Sequence, residues 1–123
     1  MSATVLLNQA SAMQTANGNT SDITWGGYTE LAVDALVTNQ QGTAPTVQIL
    51  VDRKDAAGNY EQIAASSATN VATASTTAVP ISLSVGVGLS ASPASFAATG
   101  RIRWAIGGSA TPGGTFNISV IAK

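Results

Sequence analysis

The stretch Leu31-Ala32-Val33-Asp34-Ala35-Leu36-Val37-Thr38 decides the fold, because its odd positions are all apolar and its even positions are mixed. Side chains of a β-strand point to opposite faces in turn, so this alternation predicts a strand with one buried face. The same period of two recurs in four further runs, whereas no segment carries an apolar stripe with helical spacing. These runs begin at Val47, Val79, Ile102 and Phe116.

Glycine, proline and asparagine separate the apolar runs. Asp55 to Asn59 is predicted to form a hairpin turn, because Gly and Asn tolerate the left-handed backbone conformation. Asn39 to Pro45 is expected to join two strands, and Gly107-Gly108 and Pro112-Gly113-Gly114 are expected to bracket the last hairpin. Pro80 lies inside an alternating run. Since proline cannot donate to a β-ladder, it predicts an edge strand or a strand that begins just after it.

These signals predict an all-β fold, namely one antiparallel β-sandwich domain over residues 1–123, jelly-roll or immunoglobulin-like, with about eight strands in two sheets. The chain has 123 residues and no cysteine, and a domain of this size can bury a core without disulfides. Residues 1–12, with Val5, Leu6 and Leu7, are expected to form either the first strand or an arm that adds to a neighbour's sheet edge. Ser90 to Ser95 is expected to form the longest surface loop.

Charge is scarce in this chain. Only 9% of residues are charged and the net charge is −1, against about 25% charged residues in typical domains. Such a surface is typical of a protein that stays in contact with other protein, or of a secreted domain rich in Ser and Thr. So few basic residues argue against nucleic acid as a partner. No window suits a membrane helix, and residues 1–10 lack the pattern of a secretory signal, so we expect neither a membrane partner nor the ordinary secretory route.

The residue types argue against an enzyme. The chain has no His and no Cys, which removes the commonest general base and the usual zinc ligands. Asp34 and Asp52 occupy even, outward positions, where acidic residues more often serve solubility than glycoside hydrolysis. Four oxygen-bearing side chains around the hairpin could approach Ca²⁺, but their spacing is not that of an EF-hand, so a solvated turn is preferred. They are Asp52, Asp55, Asn59 and Glu61. We expect no catalytic residue, metal or cofactor.

The six aromatic residues are candidate contact sites, namely Trp25, Tyr28, Tyr60, Phe96, Trp104 and Phe116. Trp104 and Phe116 lie in the inward register of their strands and are expected in the core. Trp25 and Tyr28 flank Gly26-Gly27 at a strand end. They are the best candidates for an exposed aromatic contact with a partner, although a core or rim position is favoured over an exposed one.

Two arginines alternate with buried positions and should project from one outer face. Arg101 and Arg103 are expected to contact Asp34 or Asp52 across the sheet, or else an acidic patch on another subunit, because the planar guanidinium recognises carboxylates. The predicted partner interface therefore comprises Arg101, Arg103, Trp25, Tyr28, Val5, Leu6 and Leu7.

Several short motifs follow one another along most of the chain. Near the C-terminus, Gly100 to Gly108 (G-R-I-R-W-A-I-G-G) leads through a Gly/Pro/Ser loop to Thr115 to Val120 (T-F-N-I-S-V). The earlier motifs, in order, are Thr15–Asp22, Glu30–Ala35, Thr43–Val47 and Asp52–Tyr60. This series resembles the small β-sandwich virion proteins of tailed bacteriophages. Ser66 to Thr77 departs from the resemblance, being longer and blander.

The resemblance implies a structural role in a phage head or tail and transfers no catalytic residues. Such proteins most often bind the outside of the capsid, with the major capsid protein as partner, and commonly form trimers at local three-fold positions. We therefore expect a capsid decoration protein on the outer surface of the virion. Two alternatives stay open, namely a tail or fibre-associated structural protein, and a carbohydrate-binding or adhesion module.

Overall fold

The regular structure is entirely β-strand in the computed structural model, which describes residues 3–72, 78–87 and 99–123. The strands are β1 (Thr4–Ala10), β2 (Gly18–Asn19), β3 (Ile23–Thr24), β4 (Glu30–Lys54), β5 (Tyr60–Ala65), β6 (Thr69–Asn70), β7 (Val79–Gly86) and β8 (Thr99–Ala122). They form one antiparallel sheet that curls, which confirms the predicted all-β, antiparallel class with about eight strands. In the described ranges no helix has the length and apolarity needed to cross a lipid bilayer. The predicted loop Ser90–Ser95 lies outside them.

The two longest strands, β4 and β8, form the centre of the sheet. They pair along almost their whole length, from Leu31 opposite Ala122 to Arg53 opposite Gly100. Strands β1 and β7 flank one half of this ribbon, giving the order β1-β8-β4-β7. In the other half, β2 and β3 lie beside β8, and β5 and β6 lie beside β4. The two predicted sheets are therefore two halves of one continuous sheet.

The ribbon bends between its two halves. Here the β4–β8 register shifts repeatedly, and irregular pairing of this kind sharpens the bend of a strand. The residues with positive φ at the bend are Gly42, Ala44, Gly108, Ala110 and Thr111. The prediction that Asn39–Pro45 joins two strands and that Gly107–Gly114 brackets a hairpin is wrong. These glycine-rich segments pair with each other, so they turn the whole ribbon while both strands continue.

The inward side chains of both halves form one apolar core. The curl brings the halves together, since β1 contacts β3 and β5 contacts β7. The predicted alternation is confirmed in the two central strands, whose inward residues are buried. From β4 these are Leu31, Val33, Ala35, Val37, Val47, Ile49 and Val51, and from β8 they are Ile102, Trp104, Phe116, Ile118 and Val120. Trp104 and Phe116 meet edge to face with ring centroids 5.4 Å apart.

Strand β1, Pro80 and the Asp55–Asn59 turn decide three further predictions made from the sequence. Thr4–Ala10 pairs with the end of β8 in the same chain, so the first dozen residues supply an ordinary strand and not an arm. Pro80 lies in β7, which pairs only with β4 among the described strands, so the predicted edge position is confirmed. The Asp55–Asn59 turn is confirmed by the Asp55 N–H, which donates to the Asn59 carbonyl at 2.8 Å.

Candidate interaction surfaces

The charged side chains are distributed unequally between the two halves of the sheet. The sequence holds five basic and six acidic residues, all within the described ranges. Four of each lie in or beside the half that contains β3 and β5, so that half is electrically balanced. They are Asp22, Asp52, Arg53, Lys54, Asp55, Glu61, Arg101 and Arg103. The other half carries only Glu30, Asp34 and Lys123.

The charged half is organised around one buried carboxylate. Asp52 is 2% exposed and accepts hydrogen bonds on Oδ2 from Arg101 Nε at 3.0 Å and Arg103 Nε at 2.7 Å. Arg103 Nη2 also donates to Asp52 Oδ1 at 3.1 Å and to Gln62 Oε1 at 3.1 Å. Asp52 thus lies on the outer face, as the alternation predicts, but it is covered by guanidinium groups and is not solvated.

These contacts decide between the two roles predicted for the arginines. The contact across the sheet is confirmed, with Asp52 and not Asp34 as the acceptor. Asp52 binds both Arg101 and Arg103, so each guanidinium has a partner within the chain, and a contact with an acidic patch on another subunit stays a prediction. The register pairs Asp52 directly with Arg101, and opposite charges that face each other across two strands attract.

A tyrosine extends this network to the loop before β3. The Arg101 guanidinium lies 3.7 Å from the centroid of the Tyr60 ring, and the Tyr60 hydroxyl donates to Asp22. Lys54 Nζ reaches the same carboxylate at 2.9 Å. Hydrogen bonds from Tyr60 and then Lys54 lower the pKa of Asp22, and Asp22 raises the pKa of both Tyr60 and Lys54. We call Asp22, Asp52, Lys54, Tyr60, Arg101 and Arg103 the ionic face.

In the hairpin considered for Ca²⁺, the acidic side chains already bind groups of the same chain. Asp55 Oδ1 accepts the backbone N–H groups of Asn59 at 2.8 Å and Ala57 at 2.9 Å, which lowers the pKa of the Asp55 carboxyl. Glu61 pairs with Arg53. Among the described residues, no group of three or more His, Cys, Asp or Glu side chains is placed to hold a metal ion.

Neither Trp25 nor Tyr28, the two predicted aromatic contacts, has a fully exposed side chain. Trp25 is 1% exposed, so the favoured core position is confirmed and its place in the predicted partner interface is wrong. It shares the inward register of Ile23, and Gly100 makes room for it, since a Cβ at position 100 would lie 2.0 Å from Trp25 Cη2. Tyr28 is partly buried and packs against the core. The two-residue spacing between Ile23 and Trp25 was the sequence signal for the burial of Trp25.

The outward side chains of β1, β8, β4 and β7 form a surface of three rows, which we call the front face. Strand register places one residue from each strand in every row. The rows are Val5, Ile121, Ala32 and Ser84; Asn8, Ser119, Asp34 and Ser82; and Ala10, Asn117, Leu36 and Pro80.

The front face combines apolar side chains with neutral Ser and Asn side chains and carries one charge. Val5 is 63% exposed and Leu36 is 42% exposed. Asp34 is the one charged side chain among the twelve. Of the residues predicted for a partner interface, Val5 alone belongs to this face, because Leu6 and Leu7 are partly buried and pack against the core. The predicted interface does not include Leu36 and Asp34, although their even positions in the 31–38 stretch indicate that both side chains point outward.

One end of the front face carries a depression of about 360 Å³, lined by Thr29, Glu30, Ser84, Val85 and Gly86. Its charged side chain is Glu30, whose carboxylate lies 3.6 Å from Lys123 Nζ. A single ion-paired carboxylate offers no acid and base pair, so we assign the depression no chemistry.

Comparisons with known proteins add no identification. A scan against protein-family models, a search of the curated proteins and a search of the solved structures each find no match.

Proposed function

We propose that this chain is a structural protein of a tailed-phage particle that binds the outer surface of the assembled head as a decoration protein, with the major capsid protein as its partner. The order of motifs that resembles small virion proteins supports this role, and the front face supplies a surface suited to it. The proposal assigns the chain no catalytic step.

The observation that carries the proposal is the contrast between the two outer faces. On the ionic face the cations and carboxylates already bind one another. On the front face only Asp34 is charged, and Val5 and Leu36 expose apolar surface. Burying the front face therefore removes water from few charges, and desolvating a charge costs more than desolvating a neutral group.

The size of the front face fits a repeated contact. Four strands spaced about 4.8 Å apart, each about six residues long at about 3.4 Å per residue, cover roughly 400 Å². A stable stand-alone complex usually buries about 800 Å² on each partner. One such face therefore binds weakly, whereas a self-associated protein, such as a trimer, presents several faces to a regular shell and gains avidity.

Binding to assembled heads tests the proposal. Purified protein is mixed with expanded heads that lack it and, separately, with unassembled coat protein, and each mixture is sedimented. We expect the protein to pellet with heads and not to bind the free coat subunit. Leu36→Asp should lose this binding, whereas Thr24→Asp, which adds the same charge at an exposed position of β3, should keep it.

Two results would overturn the proposal. One is wild-type protein that stays in the supernatant with heads present. The other is electron-microscopic labelling of virions that places the chain at the tail or a fibre. The adhesion alternative is not proposed, because Trp25 was its predicted aromatic contact and this ring is buried, so it cannot stack on a sugar.

A further inference from the structure

We infer that the surface bound by the front face places an arginine or lysine side chain over Asp34. This inference rests on the proposed function and specifies the partner's chemistry. It follows from the position of Asp34 within the front face, from its hydrogen bonding, and from the ion pairs that already engage every basic side chain of the protein.

Asp34 is the least compensated carboxylate in the protein. Its Oδ1 accepts the Ser82 hydroxyl at 2.6 Å, and in the described part of the chain no second hydrogen bond or ion pair to Asp34 is found. The other acidic residues are satisfied more fully. Asp22, Glu30, Asp52 and Glu61 each pair with a cation, and Asp55 accepts two backbone N–H groups.

No cation of the chain remains available to Asp34. Four basic side chains are engaged in or beside the ionic face, and Lys123 pairs with Glu30. Asp34 itself lies in the middle row of the front face on an inner strand, between Ser119 and Ser82. A partner that covers the face must therefore cover this carboxylate.

A covered carboxylate needs a compensating charge. A purely apolar partner would leave Asp34 desolvated with only the Ser82 hydroxyl, an arrangement that disfavours the complex. A guanidinium or ammonium from the partner can take Oδ2 while its aliphatic stem lies on Leu36 and Ala32 in the adjoining rows. Charge complementarity thus selects a partner surface that is largely apolar with one basic residue.

A second copy of the chain is a poor occupant of the same face. Two front faces packed about two-fold symmetrically lie roughly 10 Å apart. Where the two-fold axis passes near Asp34, the two carboxylates approach each other and like charges repel. The twelve side chains of the front face include no basic residue that could compensate Asp34 of the other copy. A second copy therefore offers Asp34 no opposite charge from its own front face, and we assign the front face to the coat protein.

The test measures binding of expanded heads by the wild-type protein, Asp34→Asn and Glu61→Gln, at about 50 mM and about 300 mM salt. Both variants remove one negative charge, but Glu61 lies beside the ionic face. We expect Asp34→Asn to bind about tenfold or more weakly at low salt and to lose the salt dependence. Glu61→Gln should match the wild-type protein. Thermal unfolding of Asp34→Asn verifies that the variant is folded.

Each other outcome has a distinct meaning. If Asp34→Asn binds heads as tightly as the wild-type protein with the same salt dependence, the basic contact is refuted while the head-binding role stands. If sedimentation equilibrium shows that Asp34→Asn dimerises more tightly than the wild-type protein, a second copy occupies the face and the inference fails. If the wild-type protein does not bind heads, the proposed function itself fails.

Discussion

Arg103 donates two hydrogen bonds to Asp52, one from Nε to Oδ2 at 2.7 Å and one from Nη2 to Oδ1 at 3.1 Å. Such two-point pairing between a guanidinium and a carboxylate is directional as well as strong. Because Asp52 is 2% exposed, this pair holds a charge that water cannot solvate. The Asp52 cluster therefore concerns the stability of the fold, whereas the front face is the surface that we propose for binding.

Loss of Arg103 should destabilise the protein. Arg103→Met keeps the length of the side chain but leaves Asp52 with Arg101 alone, and breaking a buried pair costs about 3–5 kcal/mol. Because Arg101 remains and Arg103 is partly exposed, we expect a loss of about 2 kcal/mol. Urea unfolding measures it. Arg53→Met, which removes the more exposed pair with Glu61, should cost under about 1 kcal/mol, and equal effects of the two variants would contradict the prediction.

Gly100 should not tolerate a side chain. A Cβ there would lie 2.0 Å from Trp25 Cη2 and 2.1 Å from the Asp52 backbone oxygen, and the backbone oxygen cannot rotate away. We expect Gly100→Ala to lower the free energy of unfolding by about 3 kcal/mol or to prevent folding, with a change in tryptophan fluorescence. Gly27→Ala is the control, because its Cβ meets no atom within 4 Å and only the positive φ of 91° opposes it. A milder effect at position 100 than at position 27 would show that the Trp25 contact is loose.

The Asp22–Tyr60–Lys54 group should make stability depend on pH at both extremes. The pKa of Asp22 is lowered from 3.8, so its contribution is present above 3.8 and is lost as the pH falls through the lower, folded value. The pKa values of Tyr60 and Lys54 are raised from 10.0 and 10.5. Their contributions are complete below those values and are lost as the pH rises through the higher, folded values.

Melting temperatures measured across the acid and alkaline ranges check this dependence. Asp22→Asn should flatten the profile at both ends. Tyr60→Phe keeps the ring against Arg101 but removes the hydroxyl, so it should reduce the alkaline loss that Tyr60 causes. An unchanged alkaline slope in Asp22→Asn would show that other groups control it.

Replacing Thr111 at the bend of the ribbon by glycine should stabilise the protein. Thr111 has a φ of 54°, where a β-branched side chain crowds its own backbone. We expect Thr111→Gly to raise the free energy of unfolding by about 0.5–1 kcal/mol in urea titrations. Thr115→Gly, in the regular part of β8, should lower it by a similar amount, because glycine in a strand interior gains unfolded-state entropy. Destabilisation by Thr111→Gly would mean that its side chain makes a contact worth more than the strain.

The inward residues of β4 and β8 were predictable because alternation depends on each strand alone. Asp34 was likewise placed correctly on an outer face. The continuous ribbon was not predictable, because Gly42 and Gly108 suit a chain reversal and a bend equally well. Only long-range pairing decides between them. Asp52 is covered by Arg101 and Arg103, which are distant from it in the sequence. Alternation within β4 therefore predicted that the Asp52 side chain points outward, but it could not predict that this side chain is buried.

For the front face too, single segments were predictable, but their assembly into one surface was not. Val5 was recognised as a possible contact from its own segment. Its assembly with Leu36 into one surface depends on β8 lying between β1 and β4, and that order is a tertiary property that no local pattern encodes.

The pairing of β4 with β8 also governs how the molecule forms. Even the nearest residue pair in its register, Arg53 with Gly100, joins segments far apart in the sequence, and closing so long a loop costs entropy before any contact repays it. During synthesis β4 emerges well before β8, with a row of valines and isoleucines still open to aggregation. We therefore expect slow folding, on the scale of milliseconds to seconds, and a nascent chain that depends on chaperones or on low temperature until its last strand arrives.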